Sequence, residues 1–283
     1  MLTHIPYSIR VNGQLMDLST PKVMGILNVT PDSFYADSRK ETEKDIAERV
    51  EQIVSEGADF IDIGAYSSRP NATDVSAAEE AGRLRRGLDI IRRIAPDAVV
   101  SVDTFRADIA AMCVEEYGVA VINDISGGQM DKAMFDTVAR LNVPYIMMHM
   151  KGTPQDMQQH PHYDHLMKEV MQYFAERVQE LHARGVNDII LDPGFGFGKT
   201  LAHNYELLKK MEELQRFSLP VLVGISRKSM IYKLLGCTPE ESLNGTTVLN
   251  TLAMEKGASI LRVHDVKACV EAARIFNAMN TQK

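Results

Sequence analysis

Lys22-Val23-Met24-Gly25-Ile26-Leu27-Asn28-Val29-Thr30-Pro31-Asp32-Ser33-Phe34 is an apolar run that ends in a polar knot. Residues 22–27 read as a buried strand, and Asn28, Asp32 and Ser33 follow at its C-terminal end with no helical period among them. Seven further short apolar runs come later, at 60–63, 98–102, 120–122, 144–148, 188–191, 220–225 and 260–263. Each is almost continuous, as parallel strands covered on both faces are. Most of them also end in polar residues. Polar side chains gathered at one end of many parallel strands make a site.

Helical patterns lie between the runs. Ile46, Val50, Ile53 and Val54 recur at helical spacing ahead of Gly57, a C-terminal stop. Ser76 and Glu79 have the spacing of a capping box. Leu166, Val170, Phe174, Val178 and Leu181 form a long stripe, and Asp265 precedes a last helix striped by Val266, Val270 and Ala273. Ahead of the first run, residues 9–16 predict a β-hairpin around Asn12-Gly13, a type I′ pair. Eight strand–helix units without a linker predict one domain over 1–283, a (β/α)₈ TIM barrel with a short N-terminal β-hairpin. A doubly wound open sheet is the alternative. It would carry a glycine-rich phosphate turn after its first strand, where this chain has Asn-Val-Thr-Pro-Asp-Ser.

Composition narrows the function. A net charge of −7 with no Lys/Arg block disfavours bulk binding of nucleic acid or anionic membranes, so any anion is held locally. Cys113, Cys237 and Cys269 are far apart and odd in number, which fits a reducing compartment and no disulfide framework. Neither a signal peptide nor an 18-residue apolar span is visible. The expectation is a cytoplasmic protein.

In a barrel of this kind the chemistry sits on the C-terminal strand ends. These carry Asn28, Asp32 and Ser33; Asp62 through Pro70; Asp103-Thr104; Asn123-Asp124; Met148-His149; Asp192 through Lys199; Gly224 through Ser229; and Arg262-Val263-His264-Asp265. An Asp, Asn or Ser after a strand often serves only as a helix cap, and Asp265 and Ser226 are read that way. His149 reads as a hydrogen-bonded structural histidine, and most of the sixteen methionines as core filling, with Met148 placed to line a pocket. Gly194–Thr200 ends in Gly-Lys-Thr but is too short for a P-loop and follows Pro193. His160, His162 and His165 match no familiar metal pattern.

The remaining set is chemically coherent. Asp103, Asn123, Asp192 and Lys228 offer donors and acceptors for a flat heterocycle bearing an amide and an amino group. Arg69, Arg262, His264 and Asn28 suit a polyanion. Residues 226–229 open a helix whose free N–H groups suit a second anion. Two anion sites beside a heterocycle pocket point to a group transfer.

The motifs NVTPDSF (28–34), SRP (68–70), SVDT (101–104), NDISGG (123–128), MHMKGTPQDMQ (148–158), DPGFGFGK (192–199), GISRKS (224–229) and RVHDV (262–266) resemble those of the dihydropteroate synthases. The resemblance covers nearly the whole chain, and eight ordered matches at strand ends are specific. It implies a transferase of folate biosynthesis that joins 4-aminobenzoate to a 7,8-dihydropterin carrying a methyl diphosphate, releasing diphosphate. It also implies that Asp103, Asn123, Met148, Asp192, Gly224, Lys228 and Arg262 hold the pterin. Asn28, Arg69, Arg262 and His264 would hold the diphosphate, with Mg²⁺ at Asn28. Ser68, Pro70, Phe197, Lys228 and Ser229 would surround the aminobenzoate. Asn28, Asp103, Asp192, Lys228, Arg262 and His264 carry the catalytic burden on this reading. A homodimer and a sulfonamide target are implied as well.

Two loops depart from the usual pattern. Tyr35-Ala36-Asp37-Ser38 replaces a Ser-Asp-Gly-Gly stretch, and residues 64–71 lack the usual Gly-Glu-Ser-Thr, so both are expected to be loops with less freedom than usual. A folate-dependent methyltransferase barrel and a non-catalytic pterin binder are the competing readings. The methyltransferase barrel has no use for Arg69, Lys228-Ser229 and Arg262-Val263-His264 together, and against the non-catalytic binder every residue required for diphosphate handling is present.

Overall fold

A computed structural model describes residues 7–29, 36–66, 75–152, 157 and 161–280. Strands β1 (Ser8–Val11) and β2 (Gln14–Asp17) form the hairpin. Asn12 and Gly13 take φ of 49° and 78°, the two positive values that a type I′ turn requires.

Eight parallel strands then close on themselves. They are β3 (Lys22–Asn28), β4 (Phe60–Gly64), β5 (Val100–Asp103), β6 (Val121–Asp124), β7 (Tyr145–Met148), β8 (Ile189–Asp192), β9 (Val221–Val223) and β10 (Ala258–Val263). Neighbours pair in sequence order and β10 returns to β3. An open doubly wound sheet is excluded by that last pairing. The helices are α1 (Ala36–Ser55), α2 (Ala77–Ile94), α3 (Ala107–Tyr117), α4 (Met134–Leu141), α5 (Leu166–Ala183), α6 (Leu201–Lys210), α7 (Ser229–Leu235), α8 (Leu243–Glu255) and α9 (Val266–Asn280). Two of them, α7 and α8, separate β9 from β10.

The strand period sorts every side chain. Residues such as Ile61, Ile63, Val102, Ile122, Leu191 and Leu261 face outward into one core shared with the helices. Met24, Phe60, Val121, Ile146, Ile190, Leu222 and Ile260 face inward and fill the lower half of the barrel together with Ile9, Val11 and Leu18 from the hairpin region. Asp188, just before β8, accepts the Arg10 backbone N–H at 3.2 Å, which docks the hairpin at the N-terminal end of the strands. The barrel is thus plugged below, and among the described residues the charged side chains that face its interior gather at the upper mouth.

Two local expectations need correction. Ala36, Asp37 and Ser38 lie inside α1 instead of in a loop. Ser76 does cap α2 by accepting the Glu79 N–H at 3.2 Å, but the Glu79 carboxylate pairs with Arg83 at 2.5 Å, so the box is half used. The reciprocal box is at Thr200 and His203, where an imidazole takes the place of the acid.

Candidate active site

One register step above the apolar floor, the inward positions turn polar. Asn28, Gly64, Asp103 and Asn123 follow one another across β3 to β6 as Cα partners. Met148 faces Asp192 across β7 and β8. Arg262 and His264 continue the inward column of Ile260. Asp124 is out of phase with this set. It lies on the outer face, bonded to the Tyr145 hydroxyl at 2.6 Å and to Ser126.

Arg262 organises the centre. Its Nε donates to Asp62 Oδ2 at 2.6 Å and its Nη2 to Asp103 Oδ2 at 2.8 Å. Asn123 Nδ2 donates to the same Asp62 oxygen at 3.1 Å. Asp62 is fully buried, and its Oδ1, like the neighbouring Ser101 Oγ, has no partner. Burial pushes the Asp103 carboxyl up to about 7, against the pull of Arg262. Burial works against the Arg262 charge, but Asp62 and Asp103 more than offset it and hold the guanidinium charged.

Gly64 leaves the space above Asp103 open; a Cβ there would stand 3.2 Å from the Asp103 Cβ. Gly224 does the same beside Arg262 and the Lys228 ammonium, 3.9 and 4.0 Å from a notional Cβ. Both glycines clear room where a flat ring would need it.

Asp192 and Lys228 form the opposite wall. Asp192 Oδ1 accepts the Gly194 N–H at 2.7 Å, and burial raises its pKa while Lys228 and Arg262 oppose the shift. Burial lowers Lys228 to about 8, with Asp192 pulling the other way. Lys228 Nζ donates to the Phe195 carbonyl at 2.5 Å and sits 4.6 Å from the centre of the Phe197 ring. Met148 packs with Phe105, Ile125, Met150 and Met157, and with part of Tyr66 and Phe197, as an apolar side to the mouth.

His264 is held by Ser226, whose Oγ accepts the His264 backbone N–H at 3.1 Å and lies 3.1 Å from Nδ1. Burial and the nearby Arg262 push the imidazole down to about 4, so it is neutral at physiological pH. An anion at His264 would therefore meet a neutral donor, with the positive charge coming from Arg262. Ser226 is not a helix cap, which corrects the sequence reading. The Asp265 carboxylate is not a cap either, since it takes a two-pronged bond from Arg227 at 2.9 and 2.7 Å. Arg227 has a φ of 55° and is tied down further by the Pro239 and Glu240 carbonyls. Lys228 and Ser229 follow directly, Ser229 being the first residue of α7.

Asn28 is exposed at the end of β3. Asp32, Ser33, Ser68, Arg69, Pro70 and His160 lie outside the described residues. His162 bonds Asp164 at 3.1 Å on the surface, and His165 stands just before α5. Among the described residues no group of three or more His, Cys, Asp or Glu side chains is placed to hold a metal ion. His149 is buried against Lys199, at 3.0 Å from Nδ1, as a structural histidine.

Asp62 and Lys199 stand among the strand-end residues but received no role from the sequence. Asp62 had a signal, because an acid in phase with Phe60 and Gly64 on an inward strand face needs a cationic partner. Lys199 had none beyond its place in a glycine-rich run.

The chain has relatives of known family. A family model described as pterin binding enzyme matches residues 24–264. The chain is 41% identical to dihydropteroate synthase of Escherichia coli strain K12 over 275 residues, covering 96% of both proteins. The chain belongs to the dihydropteroate synthase family. The corresponding protein of Haemophilus influenzae is 39% identical, covering 94% of this chain and 97% of that one. Among solved structures, Yersinia pestis dihydropteroate synthase in a sulfonamide drug complex superposes with a TM-score of 0.85 at 40% identity, covering 98% and 100% of the two chains. Xanthomonas albilineans dihydropteroate synthase with 4-aminobenzoic acid gives 0.87 at 37%, covering 98% and 99%. Members of this family are transferases of folate synthesis. No helix among the described residues is long and apolar enough to cross a membrane.

Proposed function

We propose that the mouth of this barrel joins 4-aminobenzoate to a 7,8-dihydropterin methyl diphosphate with the following division of labour. Asp103, Asn123, Asp192 and Lys228 bind the pterin edge, Met148 and Gly224 its faces. Arg262, His264, Asn28 and Arg69 bind the diphosphate. Phe197, Ser68, Pro70, Lys228 and Ser229 surround the aminobenzoate. The observation that carries this reading is the convergence of Asp62, Asp103, Asn123 and Arg262 in one hydrogen-bonded network, with Asp192 and Lys228 close enough to alter its charges.

The chemistry follows from where charge develops. The carbon–oxygen bond to the diphosphate breaks first, and the electron-rich pterin spreads the positive charge left behind. Asp103 and Asp192 stabilise that cation, while Arg262 stabilises the departing anion. The aryl amine nitrogen then attacks the methylene carbon and loses a proton. It needs orientation more than deprotonation. The exposed amide oxygen of Asn28 is a hard donor suited to Mg²⁺, which usually keeps waters and substrate phosphates as its other ligands. When bound there it would supply Lewis-acid charge to the leaving diphosphate.

Two assays test the reading. A coupled turnover assay with both substrates gives product on this assignment, and none on the non-catalytic alternative. Labelled pyrophosphate exchanges into the pterin diphosphate without aminobenzoate if ionisation comes first. No exchange under any condition removes the discrete cation.

We also propose a homodimer and a cytoplasmic location. Leu234, Leu235, Val248, Leu252, Ile275 and Met279 are exposed on α7, α8 and α9, and α8 packs on both α7 and α9. An exposed apolar area on contiguous helices is what a partner copy would cover. Three free cysteines fit a reducing compartment.

A further inference from the structure

Lys199 is a buried lysine that the proposed reaction does not use. It is 3% exposed, and its Nζ lies 3.0 Å from His149 Nδ1, 2.9 Å from the Gly194 carbonyl, 3.0 Å from the Phe197 carbonyl and 3.3 Å from the His149 carbonyl. Burial lowers Lys199 to about 7, with Asp192 pulling the other way, and charged or neutral the amine has at least two donors for these four acceptors. Burial and Lys199 itself keep His149 neutral, which leaves Nδ1 free to accept.

The acceptors define what this lysine does. Gly194 and Phe197 begin and end the turn that follows β8, and the Phe197 N–H closes it on the Gly194 carbonyl at 3.1 Å. The turn lies against the chain after β7 so tightly that a Cβ on Gly194 would stand 2.0 Å from the His149 carbonyl oxygen, and one on Gly198 2.4 Å from that of Lys151. On its other side the same turn offers the Phe195 carbonyl to Lys228, which also rests on the Phe197 ring. Two lysine amines thus hold one glycine-rich turn, Lys199 by the Gly194 and Phe197 carbonyls and Lys228 by the Phe195 carbonyl between them. Lys228 is on the substrate side. Lys199 is behind.

We propose that Lys199 is a positioning residue for the amine substrate: it locks the 194–198 turn so that the Phe197 ring stands at a fixed place beside the aminobenzoate. This rests on Phe197 lining the aminobenzoate subsite. Lys199 touches no substrate itself. Its removal loosens one wall of the second subsite and leaves the pterin contacts of Asp103 and Asn123, on the far strands, in place.

Kinetics of Lys199→Met, Phe197→Ala and the double variant test this. Lys199→Met is expected to raise the KM for 4-aminobenzoate about tenfold and that for the pterin diphosphate less than threefold. If Lys199 acts through Phe197, adding Lys199→Met to Phe197→Ala changes the aminobenzoate KM by less than threefold. Equal rises in both KM values, or fully multiplicative effects in the double variant, overturn the proposal. A Phe197→Ala protein with normal aminobenzoate KM sinks the subsite assignment, and with it this role for Lys199. A reading independent of turnover is available because the chain has no tryptophan. In Phe197→Trp the single indole reports on the turn, and Lys199→Gln, which serves equally if the Met variant does not fold, is expected to lower its fluorescence anisotropy while the far-ultraviolet circular dichroism is unchanged. An unaltered anisotropy counts against the lock.

Discussion

Arg262 Nε reaches Asp62 Oδ2 at 2.6 Å across the barrel interior, joining two residues 200 positions apart in the chain. Asp62 has no solvent exposure, and its second oxygen is unpartnered. Removing one member of a buried ion pair leaves an uncompensated charge and costs about 3–5 kcal/mol. Asp103 still faces Arg262 in Asp62→Ala, so this variant should lower unfolding free energy by up to that amount in urea titration at pH 7, with the slope unchanged. A variant as stable as the parent would show that Arg262 is held by other groups.

Lys228 joins the turn after β8 to the pterin wall. Lys228→Ala leaves the Phe195 carbonyl without its donor and the pterin without one edge partner. A buried polar group left unpaired costs about 1–3 kcal/mol, so the KM for the pterin diphosphate should rise between several-fold and about a hundredfold. Normal pterin kinetics would remove Lys228 from the pterin set.

Arg262→Ala should cut kcat while far-ultraviolet circular dichroism still reports a folded barrel, since Asp103, already raised to about 7 by burial, can take up a proton once its cation is gone. A wild-type turnover rate would take Arg262 out of anion stabilisation.

Two groups give pH signatures of opposite sign. Asp103, raised to about 7, binds more protons folded than unfolded, so its stabilising contribution is complete below its ordinary 3.8 and lost as pH rises through about 7. Its carboxylate form appears over the same interval, so kcat/KM for the pterin substrate should climb between pH 6 and 8, and Asp103→Asn should flatten that limb. A limb that persists in Asp103→Asn belongs to another group. His264, lowered to about 4, favours the folded state above its ordinary 6.5, and that contribution disappears as pH falls through about 4. It adds no limb to the rate profile between pH 6 and 8.

Val248 and Leu252 are one turn apart on α8, and Ile275 and Met279 one turn apart on α9. Placing a carboxylate in each pair, as Val248→Glu with Ile275→Glu, should halve the mass seen by sedimentation equilibrium without changing the fold. A parent protein that is already monomeric would leave these residues without a partner copy to meet.

The barrel itself was readable because parallel strands buried on both faces must be continuous apolar runs, and each run here ends at a change to polar residues. Residue parity carried further than the motifs. Asp103, Asn123, Asp192 and Arg262 share the inward phase, and this phase separates Asn123 from its outward neighbour Asp124. Contacts between loops were less legible. Ser226 and Asp265 looked like caps because sequence gives only their position relative to a helix, while their partners His264 and Arg227 come from neighbouring loops. Lys199 was invisible for the same reason, since its acceptors are mostly backbone carbonyls, which no side-chain pattern encodes. The half-used box at Ser76 shows a local rule overridden by a nearby arginine.

The hairpin docked under the strands has a kinetic consequence. With the lower end stoppered by Ile9, Val11 and Leu18, the chamber is blind, and every visitor shares a single doorway. Whatever settles on the floor must arrive before the doorway fills and can depart only after it clears. Two ligands stacked between that floor and the mouth would therefore arrive in order and leave last in, first out.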